Sequence, residues 1–185
     1  MGLDVDIKPL IERIRNGDRQ AFGQVVIFYQ GPLFGFLGRL GLNQSHAEEI
    51  AQETFLQAWK RLGSYDPHLA AFSTWLFTIA RNLALNELSR AANRYEETGG
   101  DDLPDGVCQS PQPFEALANA QRKQRLQESL RKLPLADRSV LALAYIENLE
   151  LTAIGRIEGC SSGAIKTRLH RAKERLRELL GTNDG

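Results

Sequence analysis

Six cations fall within twelve residues near the C-terminus: Lys166, Arg168, Arg171, Lys173, Arg175 and Arg177. They follow a Gly159-Cys160-Ser161 turn, and a shorter helical pattern precedes that turn from Leu149. A short helix, a tight turn and a basic second helix is the layout of a helix-turn-helix, whose second helix lies in the DNA major groove. The chemistry is electrostatic, because cations set against phosphates supply much of protein–DNA affinity. In such a helix the first turn reads base edges and later cations grip the backbone. Ser162, Ala164, Lys166, Thr167, Arg168 and Arg171 are therefore placed nearest the DNA, with Ser161 or Ser162 as the helix cap. Ile165 and Leu169, four apart, face the core. Lys173, Arg175 and Arg177 fit a solvated face.

Charge along the chain agrees. Residues 1–92 hold nine Lys/Arg and nine Asp/Glu, whereas 93–120 hold one arginine against six acids. From Gln121 onward thirteen basic residues face eight acidic ones, so a formal net charge of zero hides an acidic middle and a basic tail. Such asymmetry points to nucleic acid as the partner of the basic part. Other chemistries lack their residues. His46, His68 and His170 show no metal-ligand spacing with Cys108 and Cys160, so no metal and no cofactor are expected. The two distant thiols argue against a structural disulfide. No glycine-rich phosphate loop or nucleophile motif supports an enzyme. No apolar run approaches the roughly 20 residues of a membrane span, and Met1 opens a polar segment unlike a signal peptide. The expectation is a cytoplasmic chain without membrane insertion, monomeric when free of partners.

The elements that must carry these residues read as helices, and no alternating strand pattern of useful length occurs. Pro9–Ile14 is apolar at helical spacing, and Ala21–Leu40 is a longer apolar pattern interrupted by Gly31-Pro32. Its aromatics, Phe22, Phe28, Tyr29, Phe34 and Phe36, are read as core. Ser45 with Glu48 fits a capping box for a helix from His46 to about Leu62. That helix sets Ala47, Ile50 or Ala51, Phe55 (or Thr54), Ala58 and Leu62 along one stripe. Glu49, Gln52, Glu53 and Gln57 form a polar ridge on the other side, which composition alone reads as a solvated face. Ser73 or Thr74 starts a helix to about Ala92. Asn93–Pro113 holds Gly99-Gly100, three prolines and five acids, and is expected to be a flexible linker. Helices follow at about Phe114–Leu133 and Leu135–Ile146, then the helix-turn-helix.

Segments in both halves resemble one family. Glu48–Trp59 (EEIAQETFLQAW) and Trp75–Ala84 (WLFTIARNLA) resemble successive helices of sigma domain 2. Leu133-Pro134, Arg138 and Gly163–Ala172 (GAIKTRLHRA) resemble sigma domain 4. In this order, with an acidic segment between, the chain resembles an extracytoplasmic-function (group 4) sigma factor of bacterial RNA polymerase. The resemblance implies an all-α fold with two small helical domains, 1–92 and 114–185, joined by the flexible linker 93–113. It implies a promoter-specificity subunit with no catalysis of its own. Its expected partners are core RNA polymerase, promoter DNA (duplex at −35, single-stranded at −10) and an anti-sigma factor, the chain ending soon after Leu180 without an appended regulatory domain.

The resemblance turns the ridge of Glu49, Gln52, Glu53 and Gln57, with Leu56, into the polymerase-binding surface; Trp59 is either part of that contact or core. It assigns the melted −10 strand to the loop from Gly63 and the helix after it. Single-strand recognition needs exposed stacking surfaces and groups for base edges. Tyr65, Asp66, Phe72 and Ser73 lie in that loop or at its exit. Thr78, Asn82 and Asn86 recur every four residues on one face, and Asn both donates and accepts. Arg81 and Arg90 hold phosphates or merely solvate the helix. One departure stands out: the first helix of the motif reads Ala153-Ile154-Gly155 where an acid and Ile-Ala are usual. Gly155 costs roughly 1 kcal/mol of helix propensity against Ala. A free helix-turn-helix regulator is the alternative, but it leaves the Trp75–Ala84 match without a role.

Overall fold

An asparagine, not a serine, starts the helix that carries the polar ridge. Asn43 Oδ1 accepts from the His46 backbone N–H at 2.9 Å, and the helix runs Gln44–Arg61. The capping box expected at Ser45 does not form; Glu48 instead accepts from Gln44. The computed structural model describes residues 7–98, 124–145 and 147–181, with the side chains of 92–98 left out. Its helices are α1 (Lys8–Arg15), α2 (Arg19–Arg39), α3 (Gln44–Arg61), a 3-10 turn (Leu62–Ser64) and α4 (Phe72–Thr98). Then come α5 (124–131), α6 (Leu135–Tyr145), α7 (Leu151–Glu158) and α8 (Ser162–Gly181). The described residues contain helices and no strands.

α2 corrects the expectation of a break at Gly31-Pro32: the helix is continuous through Pro32. A proline costs one backbone hydrogen bond and crowds the preceding turn, and packing outweighs that cost here. Val25, Tyr29, Leu33, Phe36 and Leu37 of α2 are all buried. They meet Ala51, Phe55 and Ala58 of α3 and Leu76, Phe77, Ala80 and Ala84 of α4. Not every aromatic is core: Phe34 is partly exposed. α2 is also the one described helix long and apolar enough to cross a membrane, contrary to the sequence expectation, although its buried side faces this core. α4 starts at Phe72 and extends to Thr98, so Ser73 and Thr74 sit inside its first turn and its end passes Ala92. The linker expected at Asn93–Pro113 lies mostly outside the described residues.

In the C-terminal half, Leu143 of α6, Ile154 and Ile157 of α7, and Ile165 and Ala172 of α8 are buried. Asp137, buried in the first turn of α6, accepts from Arg175 Nη1 at 2.6 Å, so this arginine ties α8 to α6 rather than solvating it. Gly159 closes α7 in the left-handed region, φ 69°. Gly155 answers a different need. A Cβ there would stand 2.6 Å from the Cys160 carbonyl oxygen, a backbone atom that cannot step aside. The tight turn takes the space that a side chain would fill.

The two halves pack on each other. α7 lies against α4 and α6 against α2. The Arg138 guanidinium of α6 rests over Gly41, whose φ of 99° and missing Cβ both admit it. Near Arg39, Glu147 is 4% exposed and its Oε1 has no hydrogen-bond partner. Burial pushes its carboxyl up to about 7, against the opposing pull of Arg39. A carboxyl raised in the folded state stabilises while protonated, fully below its ordinary 4.5, and loses that stabilisation as pH rises through about 7. Urea unfolding should therefore show stability falling by about 3 kcal/mol between pH 4.5 and 7.5 from this group. Glu147→Gln should flatten that fall; equal pH dependence in both proteins would refute the assignment.

Candidate nucleic-acid interface

α3 separates its faces cleanly. Ala47, Ala51, Thr54, Phe55 and Ala58 are buried, Thr54 by turning its hydroxyl onto the Ile50 carbonyl at 2.6 Å. Glu49 and Gln52 are exposed, and Glu53 accepts from Gln57 Nε2 at 3.0 Å along the same ridge. Leu56 is 45% and Trp59 38% exposed, so both add apolar area beside the acids. Trp59 also meets Phe22 edge-on at 5.0 Å, which joins the two roles left open for it.

The loop before α4 departs from expectation. Tyr65, Phe72 and Ser73 are buried, at 6%, 2% and 7% exposure. Tyr65 gives its hydroxyl to the Ala70 carbonyl at 3.1 Å and packs edge-on against Phe72 at 5.4 Å. Phe72 also meets Tyr29 and Trp75. These rings brace the loop from beneath and offer no stacking surface to a base, which corrects their place among exposed contacts. Asp66 shapes the turn by accepting from the His68 backbone N–H at 2.8 Å. The apolar group that the loop does expose is Leu69, at 70%. Its carbonyl accepts from Arg156 of α7, while the Tyr65 carbonyl accepts from Arg15 of α1.

Along α4, Asn82 and Asn86 are exposed on one face, and Thr78 is half-buried with its hydroxyl on the Thr74 carbonyl at 2.7 Å. Arg81 is engaged. Its Nε and Nη2 donate to the two carboxylate oxygens of Glu158, each at 2.9 Å. Glu158 is a residue that sequence reasoning passed over. The signal was present, since position 158 follows Ile154 by four and continues the buried stripe of α7.

On α8, Ser161 is the cap: its Oγ accepts from the Ala164 backbone N–H at 3.2 Å. Ser162, Ala164, Lys166, Thr167 and Arg171 are exposed, while Ile165 is fully buried and Leu169 partly so. Arg168 is half-buried, with Nη1 3.8 Å from Glu158 Oε2. Lys173 lies 4.6 Å over the Tyr145 ring. Among the described residues no cluster of His, Cys, Asp or Glu could hold a metal ion.

The models of two families match: Sigma-70 region 2 over residues 28–94 and Sigma-70 region 4 over residues 123–176. The chain is 33% identical to the ECF RNA polymerase sigma factor SigW of Bacillus subtilis, over 96% of this chain and 98% of that one. It belongs to the extracytoplasmic-function sigma factors. The RNA polymerase sigma factor CarQ of Myxococcus xanthus is 31% identical over 92% of this chain and 95% of its own. Among solved structures, the sigma factor RpoE of Bartonella quintana, bound to the anti-sigma factor NepR, superposes with a TM-score of 0.73. It is 26% identical and covers 86% of this chain and 96% of its own. CnrH, in complex with the cytosolic domain of CnrY, gives 0.68 at 25% identity, over 94% and 96%. This sigma factor therefore acts in promoter-specific transcription initiation, as a DNA-recognition subunit of RNA polymerase rather than an enzyme. α3 and nearly all of α4 fall within region 2, and α6, α7 and nearly all of α8 within region 4.

Proposed function

We propose that this sigma factor divides promoter recognition between its halves, residues 1–92 and 114–185, joined by the tether expected at 93–113, whose first residues, 93–98, continue α4. The α3 ridge of Glu49, Gln52, Glu53, Leu56 and Gln57 docks on core polymerase. Asp66, Thr78, Arg81, Asn82 and Asn86, with Leu69 at the loop tip, receive the single-stranded −10 element. Tyr65, Phe72 and Ser73 support that surface from below. Ser162, Ala164, Lys166, Thr167, Arg168 and Arg171 meet the −35 duplex. The chain contributes no catalytic residue; polymerase makes the phosphodiester bonds. It works in the cytoplasm as a monomer, and a separate anti-sigma protein restrains it, as in the relatives solved with such partners.

The observation that carries this reading is α8. It turns Ser162, Ala164, Lys166, Thr167 and Arg171 outward while Ile165 anchors it to the core, as a helix built for the major groove must. Transcription in vitro with core polymerase on a randomised promoter library tests it. Enriched templates should share two sequence blocks, near −35 and −10. Initiation no more selective than with core polymerase alone would overturn the reading.

A further inference from the structure

Glu158 is the last residue of α7, and its side chain is 0% exposed. Three other helices converge on its carboxylate. Arg81 of α4 grips both oxygens at 2.9 Å, Ser139 of α6 donates to Oε1 at 2.5 Å, and Arg168 of α8 brings Nη1 to 3.8 Å of Oε2. A carboxylate so enclosed persists only where cations and donors compensate it. Two of these partners are the arginines assigned above to DNA, one for each promoter element. Guanidinium presents the same planar fork to a carboxylate and to a phosphate. The donors that Arg81 turns onto Glu158 are not free for DNA, and Arg168 is drawn toward the same carboxylate.

We infer that Glu158 is a latch that keeps the free sigma factor closed by occupying Arg81 and Arg168 in place of DNA. The inference rests on the functional reading of those two arginines. A second contact acts in the same place: Arg156, two residues before Glu158, donates to the Leu69 carbonyl and holds the −10 loop against α7. α7 thus covers the approach to Arg81. Lys166 and Arg171 stay exposed on α8. The latch therefore closes the single-strand site and diverts only one cation of the duplex site. Opening it requires a partner that separates α7 from α4, or an anion that competes for the arginines.

The test uses the purified full-length chain, with neither polymerase nor any anti-sigma protein. Small-angle scattering reads closure, and fluorescence anisotropy with a short single-stranded DNA oligonucleotide reads access. Glu158→Gln keeps the volume but replaces charge-assisted bonds with weaker neutral ones. It should enlarge the radius of gyration and tighten single-strand binding by about tenfold or more. Duplex binding should change far less. Ser139→Ala, which touches neither arginine, should move both readouts the same way by a smaller amount. It carries the test alone if Glu158→Gln loses helicity by circular dichroism. Folded variants with wild-type scattering and wild-type single-strand binding would overturn the latch, as would expansion without tighter binding. Promoter-directed initiation by the wild-type holoenzyme is measured in parallel, so that a failure of the functional reading is recognised separately.

Discussion

Glu49→Lys together with Glu53→Lys is expected to weaken binding of core polymerase by on the order of 100-fold while leaving the helical content intact. The two carboxylates lie one turn apart on the polar side of α3, opposite Ala47, Ala51, Phe55 and Ala58. Neither contributes to the core, so reversing them costs the fold little. At an interface, like charges set against each other cost several kcal/mol, and about 3 kcal/mol corresponds to two decades in affinity. Gln57 loses its acceptor at Glu53, and exposed Leu56 is left in an altered field. Co-elution with core polymerase measures the outcome, with circular dichroism as the folding control. A double variant that co-elutes like the wild type would remove α3 from the polymerase contact.

The second large effect separates two arginines of α8. Arg171→Ala should weaken binding to every −35 variant evenly, by about tenfold, and reduce the salt slope by about one. Its side chain is exposed two turns beyond the first turn of the helix, where a phosphate contact belongs. Arg168→Ala should instead change which −35 sequence is preferred, by about 1–3 kcal/mol on the correct bases. Arg168 lies one turn beyond Ala164 and reaches back toward Glu158, so in the closed chain its guanidinium is held at the edge of the reading face. Binding of −35 variants at several salt concentrations distinguishes the two patterns. A single common factor across all variants for Arg168→Ala would remove it from base readout.

Much of this was legible in the chain itself. The period of Ala47, Ala51, Phe55 and Ala58 identified the buried stripe of α3, and the Gly159–Ser161 turn located the recognition helix to within a residue. Local signals misled where a stronger neighbour competed. Ser45 has the right partner at Glu48, but Asn43 reaches the backbone N–H of His46 first and takes the cap. Pro32 breaks a helix only if its neighbours cannot hold the rest, and buried Tyr29, Leu33, Phe36 and Leu37 do. Tyr65 and Phe72 sit in a loop by sequence, yet with Tyr29 and Trp75 they make a small aromatic core of four rings. Hydrophobic period tells which face of a helix is buried, not which helix covers it. Glu158, Arg81 and Arg138 belong to contacts between halves far apart in the chain, and single-element patterns carry no record of those pairings.

The length of α4 has a mechanical consequence. Its 27 residues form one rod of about 40 Å. Among the described side chains, the buried apolar ones, Phe72, Leu76, Phe77, Ile79, Ala80 and Ala84, all lie in the first half and bolt that end into the core. Arg81, Asn82 and Asn86 sit close above the bolts, and the chain departs for the C-terminal half from the opposite end. A pull passed down the helix from its far end would meet these close-packed side chains together rather than one at a time. α4 is in this sense a mooring post: load is taken at its head, and the asparagines near its foot keep their bearing.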